Sequence, residues 1–221
     1  MKRLLVNGSP RGQESNSRLL LKWLTLGIES QGLAAPPIID LADTRKLAAH
    51  RQDFLEAEEV ILAFPLYTDS LPGLVKNFLD SLVGADRSTL SGKRVGFVIQ
   101  SGFPESIHSE ALAAWLARVC VRLGFINIGI VVKGGVEGIR VIPESMSKKL
   151  RANLLDLGVS LVKNGRLDPE IIAQMATPRR LGTGKLFLFT VLKPTGLLNF
   201  YWNSQLKKFG AWQRRFDRPF A

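Results

Sequence analysis

The sequence predicts an α/β protein: a doubly wound, five-stranded parallel sheet of order 2-1-3-4-5, followed by a basic, aromatic-rich C-terminal extension. Two observations carry the sheet. Short apolar runs such as Val60-Ile61-Leu62-Ala63-Phe64 are continuous rather than alternating, as expected of strands covered on both faces. Segments of helical periodicity separate them, and parallel strands joined by helices are the economical way to bury such runs. A third observation carries the extension. Residues 165–221 hold ten Lys or Arg against three Asp or Glu, and half of the eighteen aromatic residues, whereas residues 1–164 are only mildly basic. The chain therefore divides into a body, 1–164, and a tail, 165–221.

Taken in order, Arg3-Leu4-Leu5-Val6 is the first strand and the segment bearing Leu20, Leu21, Leu24 and Ile28 the first helix. Pro37-Ile38-Ile39-Asp40-Leu41 is a short second strand whose proline suits its start. After the third strand, a helix over 73–83 places Leu74, Phe78 and Leu82 on one face. The fourth strand spans 94–100, and the helix over 106–123 turns Leu112, Trp115, Leu116, Val119 and Leu123 inward. The fifth strand spans 126–132. The last helix of the body begins at Pro143 and Glu144, carries the stripe Met146, Leu150, Leu154, Leu157 and Leu161, and stops at Asn164-Gly165.

A sheet of this order binds ligands at the carboxyl ends of its strands, where the chain reverses direction between the first and third. Three loops matter there. The stretch Asn7 to Ser17 joins strand to helix, and the unpartnered N–H groups and positive dipole end of the helix favour an anion. Ser9, Ser15, Asn16 and Ser17 add short donors and Arg11 a fixed charge. An ordinary turn capped by Ser15 or Asn16 reads from the same residues equally well. After the third strand, Pro65, Leu66, Tyr67, Thr68 and the prolines around them form a stiff loop carrying an aromatic; after the fourth, Ser101, Gly102 and Phe103 pair an unhindered backbone with a second aromatic. Each aromatic alone reads as loop packing. Together with the anion site they point to a ligand with a phosphate and a flat ring.

These motifs, G-S-P-R-x-x-x-S-N-S, P-L-Y-x-x-x-L-P-G-x-x-K-x-F-x-D and S-G-F-P-E, in that order and in the loops named, resemble those of the flavodoxin-like NAD(P)H-dependent FMN reductase family over residues 1–164. The resemblance implies an FMN with its phosphate on Ser9, Arg11, Ser15, Asn16 and Ser17. Its ring would lie between Pro65, Leu66 and Tyr67 on one side and Ser101, Gly102 and Phe103 on the other. Backbone N–H groups near Tyr67 and Thr68 would approach the ring's N5. It also implies NADPH or NADH as electron donor, a small-molecule acceptor (a quinone, a nitro or azo compound, or free flavin) and a homodimer. Lys76 and Asp80, which also match, support the loop or a subunit contact. The cysteine cluster of the family's iron–sulfur branch is missing. No side-chain acid or base is required, so no catalytic residue is assigned; His108, just past the third loop, reads first as a capping or surface residue. The rival reading is a flavodoxin-fold FMN-binding electron carrier without turnover of its own, and the basic charge leans toward the enzyme because small carriers are often acidic.

The lone Cys120, set among apolar residues, reads as a small buried group and excludes an iron–sulfur cluster or a structural zinc site; no metal is expected. No stretch has the length of a membrane span or a secretory signal, and the cytoplasm is the expected compartment. The glycine loop 133–138 opens on the same rim and reads as a turn or as a border of the nicotinamide entrance. In the tail, Pro178-Arg179-Arg180 starts a linker, the run 186–192 is apolar, Pro194-Thr195-Gly196 turns the chain, and 198–209 form a helix rich in aromatics. Docking on the body or on a partner subunit is the preferred role for that helix, a weak contact with an anionic membrane the alternative; no nucleic-acid motif is present.

Overall fold

The computed structural model describes residues 1–192 and 199–217. Its strands are β1 (Arg3–Asn7), β2 (Ile38–Asp40), β3 (Glu59–Pro65), β4 (Arg94–Gln100) and β5 (Ile126–Lys133), all parallel, in the order β2-β1-β3-β4-β5. The helices of the first part are α1 (Asn16–Glu29), α2 (Leu47–Glu56), α3 (Gly73–Leu82), α4 (Arg87–Leu90), α5 (Ile107–Leu123), α6 (Glu144–Asn164) and α7 (Pro169–Met175).

Alternate residues of each strand feed two cores. Leu4 and Val6 of β1 join Leu62 and Phe64 of β3 and Phe97 of β4 beneath Phe54 of α2, Phe78 of α3 and Leu116 of α5. Leu5, Ile61 and Val98 face the other way, against Leu24 and Ile28 of α1 and Leu154, Leu157 and Leu161 of α6. With both faces covered, β3 is buried throughout, which is why its sequence lacks alternation.

The second core is closed by a seam of two glycines. Gly27 of α1 and Gly158 of α6 lie opposite each other. A Cβ at Gly27 would run into the Leu155 carbonyl, and one at Gly158 into the carbonyl of Leu24. The two helix backbones thus approach as closely as main chains can, a distance that no larger residue permits.

Several details differ from the sequence reading. Met146 is 70% exposed, because in the first turn of α6 it is Ser147, not Met146, that faces inward; the apolar stripe is buried from Leu154 on, with Leu150 partly covered. Trp115 is only partly buried, while Cys120 of the same helix is fully inside. Helix α2 buries only His50 and Phe54 and so carries little amphipathic signal in the sequence. The first compact unit runs to Arg180 rather than ending at 164. After Gly165 ends α6 in a left-handed conformation, Asp168 caps α7 and Pro169 opens it, and Leu167 and Met175 enter the second core. Gly129 of β5 makes room, since a Cβ there would meet Leu167 at 2.8 Å and Ile172 at 3.0 Å.

The second compact unit, Leu181–Ala221, contains α8 (Thr183–Leu192) and α9 (Phe200–Lys208). The helix expected over 198–209 corresponds to α9; the turn at Pro194-Thr195-Gly196 and Leu198 lie outside the described residues. Among the described residues no helix is long and apolar enough to cross a membrane.

Candidate functional site

The loop after β1 is organised by Asn7, the last residue of the strand. Its Nδ2 donates to the Gly12 carbonyl at 2.8 Å and to Asp40 at 2.7 Å, while its Oδ1 accepts from the Ser9 N–H at 3.2 Å and from the Ser15 hydroxyl at 3.1 Å. Asp40, at the end of β2, also pairs with Arg18 of α1. One amide side chain thereby uses its donors and both lone pairs to fix the turn in space. Gly8 lets this turn sit against α3, since a Cβ there would collide with Val75.

The five residues assigned to a phosphate take different places. Ser15 is the N-cap of α1, and its hydroxyl accepts from the Arg18 N–H at 3.1 Å. The Ser17 hydroxyl is fully buried and accepts from Gln100 at 3.4 Å. Ser9, Arg11 and Asn16 line a small cleft of ≈ 40 Å³. There the Ser9 hydroxyl accepts from the Arg11 N–H at 3.3 Å, and Arg11 extends outward, 60% exposed.

The loops expected to flank a flat ring meet the same cleft. Pro65, Leu66 and Tyr67 at the end of β3, and Ser101 and Gly102 after β4, complete its wall. Leu66 is tied to the neighbouring strand through its N–H to the Gln100 carbonyl at 2.8 Å. Tyr67 and Ser70 exchange both backbone hydrogen bonds, at 2.9 and 3.0 Å, across a two-residue turn. Its central residues, Thr68 and Asp69, hold φ of 50° and 57°. Neither is glycine, so this left-handed turn stores roughly 1–3 kcal/mol per residue, the kind of strain that collects at ligand sites. Thr68 and Phe103 stand just outside the cleft, with Phe103 and Tyr67 presenting 55% and 44% of their surface at its mouth.

Two contributors were not assigned from the sequence. Gln100 buries its amide in the cleft wall. Glu137, from the loop after β5, reaches across to Arg11, Oε1 lying 3.2 Å from Nη1. That loop is clasped to its neighbours at several points. Asn16 donates to the Val136 and Glu137 carbonyls at 2.9 and 3.3 Å, the Gly135 and Val136 N–H groups donate to Phe103 and Ser101, and Arg140 donates to the Ser15 carbonyl at 2.9 Å. The glycine loop therefore borders the cleft lined by Ser9, Arg11 and Asn16, with the Glu137 carboxylate paired to Arg11.

His108 lies beside the mouth, its ring 4.8 Å from that of Phe103, with Asp69 and Glu105 carboxylates each 3.6 Å from its nitrogens. Cys120 is remote and inert: burial pushes its thiol up to about 11. Among the described residues no cluster of His, Cys, Asp or Glu could hold a metal ion.

Residues 1–157 match the sequence profile of a family described as having a flavodoxin-like fold, and the chain belongs to that family. Solved structures agree with the architecture. An NADPH-quinone reductase from P. pentosaceus is 19% identical over 74% of this chain and 99% of its own, with a TM-score of 0.57. An FMN-dependent NADH-azoreductase from Bacillus anthracis, in complex with FMN, is 15% identical over 74% and 100%, with a TM-score of 0.58. The apo form of an NADH:FMN oxidoreductase is 20% identical over 84% and 97%, with a TM-score of 0.53. No relative among curated proteins matches.

Proposed function

We propose that this protein is an FMN-dependent oxidoreductase that takes electrons from NADPH or NADH and delivers them to a small acceptor such as a quinone, an azo or nitro compound, or free flavin. One observation carries the reading. Ser9, Arg11 and Asn16, which suit a phosphate, and Pro65, Leu66, Tyr67, Ser101 and Gly102, which suit a flat ring, converge on one cleft at the switch point of the sheet. The similar structures named for quinone reduction, azo reduction and NADH:FMN oxidation support it.

The residues present fit FMN. The N-terminus of α1 supplies first-turn N–H groups and a positive dipole, Arg11 a charge-assisted donor and Ser9 a hydroxyl, while the Asn16 amide, held by the Val136 and Glu137 carbonyls, would have to leave one of them to reach a phosphate. Gly102 lets the backbone approach a ring edge, and the paired backbone hydrogen bonds of Tyr67 and Ser70 fix the main chain that carries Tyr67 before anything binds, which lowers the entropic cost of stacking. When bound, FMN supplies the hydride chemistry. The protein's part would be placement: Ser9 and Arg11, with Asn16 once released, would hold the phosphate end, Tyr67 and Phe103 would flank the entrance, and the backbone after β4 would offer N–H groups to negative charge on the ring. Arg11 must release Glu137 to accept a phosphate.

The reading is tested by titrating the purified protein with FMN and then adding NADPH or NADH anaerobically. A yellow protein bleached by either nucleotide is expected. A yellow protein that neither nucleotide reduces makes it a carrier instead, and a colourless protein that ignores FMN removes both readings.

A further inference from the structure

Among the described residues of the second compact unit, several large apolar side chains are exposed. On α8, Phe187 and Val191 stand one turn apart and are 71% and 54% exposed. On α9, Trp202 and Phe209 fall seven residues apart on one stripe, 58% and 74% exposed, and beyond it Phe216 is 81% exposed. Cations accompany these rings. Lys207 and Arg215 approach the Trp212 ring at 5.1 and 4.1 Å, Lys208 the Phe209 ring at 5.8 Å, and Arg215 also the Phe216 ring at 4.7 Å. Over residues 181–221 seven Lys or Arg face a single acidic residue, Asp217.

A surface that is both apolar and cationic needs a partner that is both apolar and anionic. A second copy of this unit supplies the apolar half but adds a like charge, which opposes association. A nucleic acid supplies the anionic half but leaves Phe187 and Val191 facing water. An anionic bilayer supplies both, with rings at headgroup depth and the cations beside them reaching phosphate. The lengths agree: a helix of ten residues rises about 15 Å, half the hydrocarbon thickness, so it lies in the interface rather than across it.

We propose that residues 181–221 are an interfacial anchor that seats Phe187, Val191, Trp202, Phe209 and Phe216 in the headgroup region of an anionic membrane, with Lys207, Lys208 and Arg215 on the lipid phosphates. The proposal stands apart from the flavin reading, because vesicle binding is measured without FMN or nicotinamide and either can fail alone.

The test is flotation of the full-length protein with vesicles of phosphatidylcholine, pure or mixed with phosphatidylglycerol. Binding to the mixed vesicles should exceed binding to the pure ones by at least roughly ten-fold and weaken as salt is raised. Lys207→Glu with Lys208→Glu should abolish the preference for anionic lipid, and Trp202→Ala with Phe209→Ala should lower binding to both. Circular dichroism and the thermal midpoint of each variant should match those of the parent. No binding to either vesicle, equal binding to both, or charge-reversed variants that bind as the parent does would overturn the proposal. So would size-exclusion data in which Trp202→Ala with Phe209→Ala splits an oligomer while vesicle binding is unchanged, since the occupant would then be a second copy. Displacement from vesicles by duplex DNA at matched phosphate would overturn it in favour of nucleic acid.

Discussion

In residues 1–180 most large apolar side chains face two shared cores and polar groups converge at the carboxyl rim of the sheet; in the second unit the described Phe187, Trp202, Phe209 and Phe216 are exposed, with lysines and arginines close in sequence. Both segments are rich in hydrophobic residues, so composition alone does not separate them. What differs is where burial is completed. The first unit packs with its own helices, down to the contact of Gly27 with Gly158, whereas described aromatic residues of the second, Phe187, Phe209 and Phe216, keep most of their surface exposed.

The contrast can be broken most severely at the glycine seam. Gly158→Ala places a methyl group against the Leu24 carbonyl, a main-chain atom that cannot rotate away, and should destabilise the first unit by about 3 kcal/mol in urea unfolding. A variant as stable as the parent would show that the two helices separate freely. Next in size, Arg11→Ala should leave that stability unchanged, since the side chain is exposed, yet weaken FMN binding by about 2 kcal/mol, roughly thirty-fold, when followed by flavin fluorescence quenching. Equal affinity would place the phosphate elsewhere. Glu137→Gln should act in the opposite sense and tighten FMN binding by about 1 kcal/mol, roughly five-fold, because a competing anion on Arg11 is gone. A loss of affinity would mean that Glu137 holds the cofactor rather than opposing it. The smallest effect belongs to removal of residues 181–221, which should shift the unfolding free energy of the remainder by less than about 0.5 kcal/mol. A large loss would show that the first unit depends on the second for its packing.

Much of this was legible in the sequence. The apolar runs of β3 and β4, the Asn-Gly stop of α6 and the three loop motifs placed the sheet and its rim, because each depends on neighbouring residues. Helix α2 escaped because only two of its residues are buried, too few to make a stripe. Helix α7 falls within the expected tail although Asp168-Pro169 is a helix start, because the Gly165 stop of α6 reads as the end of the body. Glu137 and Arg140 could not be assigned to the cradle, since they meet Arg11 and Ser15 across more than a hundred residues of chain, a contact that only the β4–β5 pairing produces. Ser15 and Ser17 show the converse limit. Their residue types suit an anion, but which way a hydroxyl turns is settled by Asn7 and Gln100, and neither constraint is visible in a local motif.

The meeting of Gly27 with Gly158 has a consequence at a distance. Helix α1 begins with Asn16 at the rim, about 16 Å up the axis from Gly27, and α6 begins just beyond the loop that carries Val136 and Glu137. The two glycines therefore act as a ruler. By setting how far apart the helices stand at their far ends, they set the width of the jaw between Asn16 and Val136, and a substitution that never touches a ligand could still alter how firmly that jaw shuts.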